Sequence, residues 1–304
     1  MDKKKEVEGI LYGILSYVIW GIVPIYWKFI DHVSSTEILA HRVLWSFVFM
    51  IILLLILKQF TAFKGYIKDI RVNKKKGLAL FIASLLVSAN WGLFIWAVNS
   101  GRILDTSLGY YINPIISVLL GVIVLKEKLS KVQVWAVALA FIGVGILTIY
   151  SGSFPWTSFL LAITFALYGL AKKLIHADAA IGLTLETMMI TPFAVGYLLF
   201  LTIQDTTMFF SWHNSLFLIG GGVVTALPLL FFAMGANYIP LSFLGFLQYI
   251  APTLTLLIGV FIYHEAFTKV HAAAFLFIWS ALILFSFSQL KVKRRLETLV
   301  DEKG

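Results

Sequence analysis

The 304-residue chain contains no cysteine. That excludes disulfides, thiolate zinc sites, iron–sulfur centres and cysteine nucleophiles, and it leaves the redox compartment open. Charge is also scarce: 13% of residues are charged, against about 25% in a typical soluble domain. With 60% hydrophobic residues and a mean hydropathy of +0.93, a soluble enzyme and a disordered chain are both excluded. The alternating ten-residue pattern of an outer-membrane barrel is missing. No glycine–lysine phosphate loop is present, so ATP-driven transport is not expected. His264-Glu265 has no second histidine four residues on, so the zinc-protease signature is absent. Nothing else points to a metal or a cofactor.

What is present is a series of continuous apolar runs. They cover residues 9–29, 36–57, 77–99, 104–125, 132–150, 154–174, 181–203, 215–236, 241–263 and 270–290. Each is long enough to cross about 30 Å of hydrocarbon at about 1.5 Å per residue. The pattern predicts an all-α integral membrane protein with ten transmembrane helices. Lys3, Lys4 and Lys5 precede the first run as they precede a signal peptide. The run is too long for one and no small-residue cleavage motif follows, so it reads as a retained first helix.

The net charge is +9. In a soluble protein that excess would raise the question of nucleic acid; here the basic residues cluster in a few loops, so it reads as topology, with the lipid bilayer as partner. With the N-terminus inside, 20 of the 24 lysines and arginines fall at the inner side and three at the outer side. Arg42 is the remaining one, inside the second span. The positive-inside rule then predicts that both termini are cytoplasmic. In the sizeable loop 58–76, Phe60, Phe63, Ile67 and Ile70 recur at helical spacing between Lys64, Lys68 and Arg71. Two readings fit: a short helix on an anionic leaflet, or a solvated basic loop.

The chain also matches itself at an offset of 138 residues. Eleven of the 45 positions from Ser88 to Val132 are identical to their counterparts. Among them are Asn99 with Asn237, Tyr111-Ile112-x-Pro114 with Tyr249-Ile250-x-Pro252, and Glu127 with Glu265. The unit is five spans, and an odd number puts the second copy upside down. Residues 1–150 and 151–290 are thus expected to be two inverted five-helix repeats, followed by a basic cytoplasmic tail, 291–304. Inverted repeats are characteristic of secondary transporters. Pro114 and Pro252 interrupt the fourth span of each unit, which makes them candidate hinges beside a midplane site.

Several blocks carry a family resemblance. They are Trp20-Gly21 with Pro24-x-Tyr26-Trp27-Lys28, Glu37-Ile38-Leu39-Ala40-His41-Arg42, Asn90-Trp91 with Trp96-Ala97-Val98-Asn99, Ser107 to Pro114, and Lys126-Glu127. Nearly the whole chain resembles the RarD-type branch of the EamA-domain proteins, within the drug/metabolite transporter superfamily. The resemblance implies a bacterial cytoplasmic membrane and export of metabolites, amino acids or drugs. Its link to chloramphenicol sensitivity establishes no substrate. The second half departs from the pattern, with Pro228 at the place of Asn90 and Gln248 at that of Tyr110, so the two halves are expected to contribute unequally.

Ionisable residues inside spans are costly and are candidates for function. Arg42 can hold a carboxylate, with Glu37 and His41 one turn apart on the same helix to carry a proton. The alternative is an arginine snorkelling to the interface, above a helix-start acid. Glu186 is a second candidate proton carrier, or a partner for a nearby lysine. Asp105, Glu127 and Glu265 read as helix-end acids. Asn90, Asn99, Asn113, Gln248 and Asn237 either line a cavity or join helices. Trp20, Trp27, Trp91, Trp96, Tyr110, Tyr111, Tyr168 and Tyr249 are candidate cavity walls, although Trp27, with Trp156 and Trp212 near span ends, reads rather as an interfacial belt residue. The expectation is a transporter of a small-molecule substrate, proton-coupled through these acids, with import, an intramembrane enzyme and a sensor or scaffold as alternatives.

Overall fold

The computed structural model describes residues 3–99, 103–150, 152, 156–175, 177–262 and 267–301, with the backbone alone at 95, 98–99, 103–107 and 289–301. The described residues form twelve helices and no strand. In order they are α1 (Lys3–Lys28), α2 (Ser35–Ile56), α3 (Phe60–Val72), α4 (Lys74–Asn99), α5 (Ile103–Ile123) and α6 (Lys131–Tyr150). Then follow α7 (Trp156–Ile175), α8 (Ala179–Ile203), α9 (Trp212–Tyr238), α10 (Leu241–Leu247), α11 (Ile250–Phe261) and α12 (Lys269–Asp301). Among the described residues nine segments are long and apolar enough to cross a membrane, with α10 and α11 together making one. The remaining expected span is α5, whose described apolar stretch is Leu108–Ile123. The protein is a multi-pass membrane protein.

The chain is apolar outside, and its mainly apolar interior also holds polar side chains. Trp135, Phe193, Phe200 and Phe287 are exposed on the flanks, while Ser16, Ser46, Asn90, Asn113 and Thr184 are buried. Lipid is as apolar as leucine, so helices associate through close backbone approach and interhelical hydrogen bonds. The seam between α6 and α12 illustrates this with Ala136, Ala140 and Gly143 against Ala274, Ile278 and Ala281. At the seam of α2 and α9, a Cβ on Gly222 would come within 2.3 Å of the Trp45 backbone, so no larger residue fits. Helix packing pairs α1 with α9 and α4 with α7, and α2 with α8, while α10 crosses α5 and α1 packs on α11.

Three segments singled out in the sequence take definite form in the structure. Loop 58–76 contains helix α3, with Phe63 buried and Phe60, Tyr66, Ile67 and Ile70 packed against the core. The apolar stripe is thus used against the protein's own bundle. Helix α12 continues into the expected tail as far as Asp301. Gln289 to Asp301 has neither glycine nor proline and is rich in Leu, Lys, Arg and Glu, all good helix formers. The paired prolines are unlike each other. α5 runs through Pro114 unbroken, whereas the chain breaks at Gln248-Tyr249 between α10 and α11, and Pro252 falls in the first turn of α11. A first-turn proline removes no helical hydrogen bond, so only Pro114 lies in a helix interior.

Candidate functional site

Arg42 sits in the second turn of α2, about 10 Å from the helix start. Its Nε donates to Thr225 Oγ1 of α9 at 2.9 Å. The guanidinium lies over the rings of Trp27 (4.9 Å) and Trp91 (5.4 Å). Trp27 is therefore a neighbour of the arginine rather than a belt residue; Trp156 and Trp212 are strongly exposed, as a belt requires. Tyr110 is half-exposed, stands within electrostatic reach of Arg42 and tilts against Phe94. Among the described residues no carboxylate pairs with Arg42. Aromatic faces hold the guanidinium and one edge is bonded to a hydroxyl; among the described residues nothing else takes its N–H groups, a fork that suits an anion.

Glu37 is not the partner of Arg42. Its buried Oε1 accepts from Thr207 Oγ1 at 2.6 Å and from Met208 N at 2.9 Å, which fastens the α8–α9 turn across the start of α2. His41 stacks on Phe209 of the same turn, 4.7 Å between centroids, and accepts from Trp45 Nε1 through Nδ1. Its Nε2 is buried without a hydrogen-bond partner, 4.0 Å from Glu37 Oε1. Tyr26 donates to Phe217 O, and His32 bonds Asn214. The end of the bundle beyond Arg42 is closed by these contacts.

The opposite end, where Lys58 and the α7–α8 turn lie, is open. A cavity of about 580 Å³ lies between α1, α2, α8 and α9. Tyr12, Leu53, Gln59, Asp178, Phe231 and Tyr238 are in its wall, with Tyr12 stacked on Phe231 at 5.9 Å. Of the residues expected from the sequence, Asn237 lines it, and its Nδ2 donates to Ala177 O at 3.1 Å. The vestibule was missed because its walls are ordinary apolar helix positions, made concave only by packing.

Between vestibule and Arg42 lies an ion pair. Glu186 (2% exposed) takes the Lys172 ammonium on Oε1 at 2.8 Å and the Tyr168 hydroxyl on Oε2 at 3.0 Å. Lys172, itself 7% exposed, is the sequence's missed residue; its place beside Lys173 reads as a loop charge, and only the tertiary fold turns it inward. Glu186, Tyr168, Ser88 and Trp91 line a second, water-sized cavity. Trp20 completes this region by packing on Phe165 and Phe232, while Tyr168 stacks on Phe232.

The other candidates are dispersed. Asn90 Nδ2 donates to Leu161 O and Thr164 Oγ1, and Asn113 Nδ2 to Ala162 O, so both tie their helices to α7. Tyr111 donates to Pro252 O at 3.4 Å and Tyr249 to Tyr111 O at 3.2 Å, locking α5 to the α10–α11 break where Gln248 is buried. Trp96 is half-exposed. The side chains of Asn99, Asp105 and Glu265 lie outside the described residues. Glu127 is a helix-end acid, but its role is capping: it accepts from the backbone N–H of Leu241 (2.7 Å) and Ser242 (2.9 Å) in the first turn of α10.

Three comparisons place these features among known proteins. The sequence profile of the EamA-like transporter family matches residues 7–149. The chain is 51% identical over 296 residues to the uncharacterized transporter YojE of Bacillus subtilis (strain 168), covering 97% of this chain and 98% of that protein. It is 41% identical over 299 residues to protein RarD of Escherichia coli (strain K12), covering 97% and 99%. A solved crystal structure at 16% identity covers 93% of this chain with a TM-score of 0.68, a likeness of fold.

Proposed function

The chain belongs to the RarD-type branch of the EamA-like transporter family, and from that membership we propose a secondary transporter that exports a small carboxylate-bearing metabolite by alternating access. Its relatives are named as transporters, not enzymes. One observation carries the substrate class: a guanidinium deep in the bundle with no carboxylate partner among the described residues. An unpaired cation there is costly, and an anionic ligand offsets that cost. A carboxylate meets the guanidinium fork with two parallel charge-assisted hydrogen bonds.

The lysine-rich end is cytoplasmic in this reading, as are both termini, in a bacterial cytoplasmic membrane. The vestibule then opens to the cytoplasm and the Glu37 contacts seal the outer side, which is the loading state of an exporter. Two inverted five-helix repeats supply the second state. The 138-residue self-similarity and the reciprocal helix pairs, α1 with α9 and α4 with α7, support this reading.

The test is flux from proteoliposomes loaded with a panel of carboxylates, amino acids and neutral analogues. Arg42→Ala should abolish transport of the accepted carboxylate with expression and monodispersity near normal. Arg42→Lys restores charge without the fork and should keep partial activity at most. Normal transport by Arg42→Ala would reduce the residue to a snorkelling anchor.

A further inference from the structure

Lys172 and Glu186 form a buried charge pair that the Arg42 site does not use. Both side chains are nine-tenths or more buried, the ammonium and carboxylate are 2.8 Å apart, and Tyr168 donates to the second carboxylate oxygen. The pair stands between two cavities. On one side Glu186 and Tyr168 line the water-sized cavity that Trp91 also lines, and Trp91 is the ring beneath Arg42. On the other side, the position of a Cβ on Gly182 is 3.4 Å from both Lys172 Nζ and the Cβ of Ala177, and Ala177 is in the vestibule wall.

We propose that Lys172–Glu186 is a proton-linked anion site: a proton on Glu186 releases the Lys172 ammonium to hold the substrate carboxylate, so that proton and anion are carried together. The inference rests on the anion-transport reading given above. Its warrant is charge balance in a medium where charges are poorly solvated. Empty, the site holds one carboxylate and one ammonium. Protonating Glu186 alone would leave Lys172 as a buried unpaired cation, and inserting an anion alone would leave a net negative site. Each half-loaded state is therefore disfavoured. Loaded with both, the site again sums to zero: the proton is bonded to a Glu186 oxygen, Lys172 keeps its three protons, and its partner is the ligand's carboxylate.

Besides Lys172, the titratable group at close range among the described residues is the Tyr168 phenol, which donates to Glu186. Facing Glu186 are Val43 of α2, Val87, Ser88 and Trp91 of α4, Tyr168 and Lys172 of α7, Thr187 and Ile190 of its own helix, and Leu229 of α9. Lys173 is held elsewhere, on Ile239 O, and Asp178 caps α8 through Ala180 N and Ile181 N. Tyr168 keeps the carboxylate oriented in both states, since its hydroxyl can donate to the charged acid or to the carbonyl of the neutral one.

Benzoate serves as the probe anion and benzyl alcohol as its neutral control, titrated by calorimetry into the full-length protein in nanodiscs across a pH series. Wild type should bind benzoate about tenfold more tightly per pH unit of acidification while one proton is taken up. Infrared difference spectra should show a protonated carboxylic-acid carbonyl band on benzoate addition. Glu186→Gln should lose that band and bind without pH dependence. Because this variant leaves Lys172 uncompensated, Lys172→Gln/Glu186→Gln serves as a charge-neutral second variant, which should lose the pH-linked part of benzoate binding and keep the part that Arg42 supplies. Arg42→Ala should weaken binding at every pH yet retain the slope. A pH-independent or absent benzoate response in wild type, or an unchanged slope in Glu186→Gln, overturns the proposal. Retained slope with undiminished binding in Arg42→Ala overturns the Arg42 reading instead.

Discussion

Residue types in the interior were legible from sequence, but their destinations were not. Arg42 stood out because an arginine inside a span is costly. Nothing in the sequence says that Glu37, five positions earlier, turns away from it to accept from Thr207 and Met208, some 170 residues on. Asn90 and Asn113 were equally fit for a cavity or a helix joint; the answer depends on the α7 carbonyls that packing happens to bring alongside. Lys172 was hidden by its basic neighbour. Glu37 supplies a residue-scale test. Replacing its carboxylate with a neutral amide in Glu37→Gln weakens two charge-assisted bonds, by about 1–2 kcal/mol in total. The α8–α9 turn should then open more often, and amide exchange at Met208 should quicken by about tenfold, read by hydrogen–deuterium exchange. Unchanged exchange there would mean that the turn is held by Phe209 and its neighbours alone.

At the scale of elements, hydropathy located the spans because membrane helices must satisfy their own backbone. Breaks within a span are another matter. Pro114 and Pro252 look alike in sequence, yet α5 continues through one while the break between α10 and α11 precedes the other. The difference is made by surroundings. The side chain of Glu127 caps the start of α10, and Gly245 admits Ser117 of α5 at a spacing where a Cβ would meet it at 2.6 Å. Such a cap lets a seven-residue helix end its spare N–H groups on a carboxylate instead of on lipid or water. Glu127→Ala should cost about 1–2 kcal/mol of stability, seen as a lower unfolding midpoint in detergent, with Glu127→Gln in between. A midpoint equal to wild type would show that α10 is held by its apolar contacts without the cap.

Across the whole molecule, one consequence follows from the seam of α2 and α9. Gly222 is packed so tightly on Trp45 that a methyl group would overlap the backbone, Ser46 Oγ donates to Gly222 O at 2.9 Å, and Arg42 reaches across to Thr225. Ridges so closely meshed cannot slip by a helical turn, about 5 Å, without first parting. In the alternating-access reading proposed above, the two helices would act as a fulcrum around which the rest of the bundle tilts when the access side changes. Because the chain has no native thiol, labels at Ile52→Cys and Leu216→Cys report this motion without background. Their spin-label separation should stay constant between the empty and ligand-loaded protein, and a shift approaching one helical turn would refute the pivot. Such a pivot would also confine the moving parts to surfaces that mutation can alter without touching the arginine's cradle, leaving opening frequency and ligand choice free to be tuned apart.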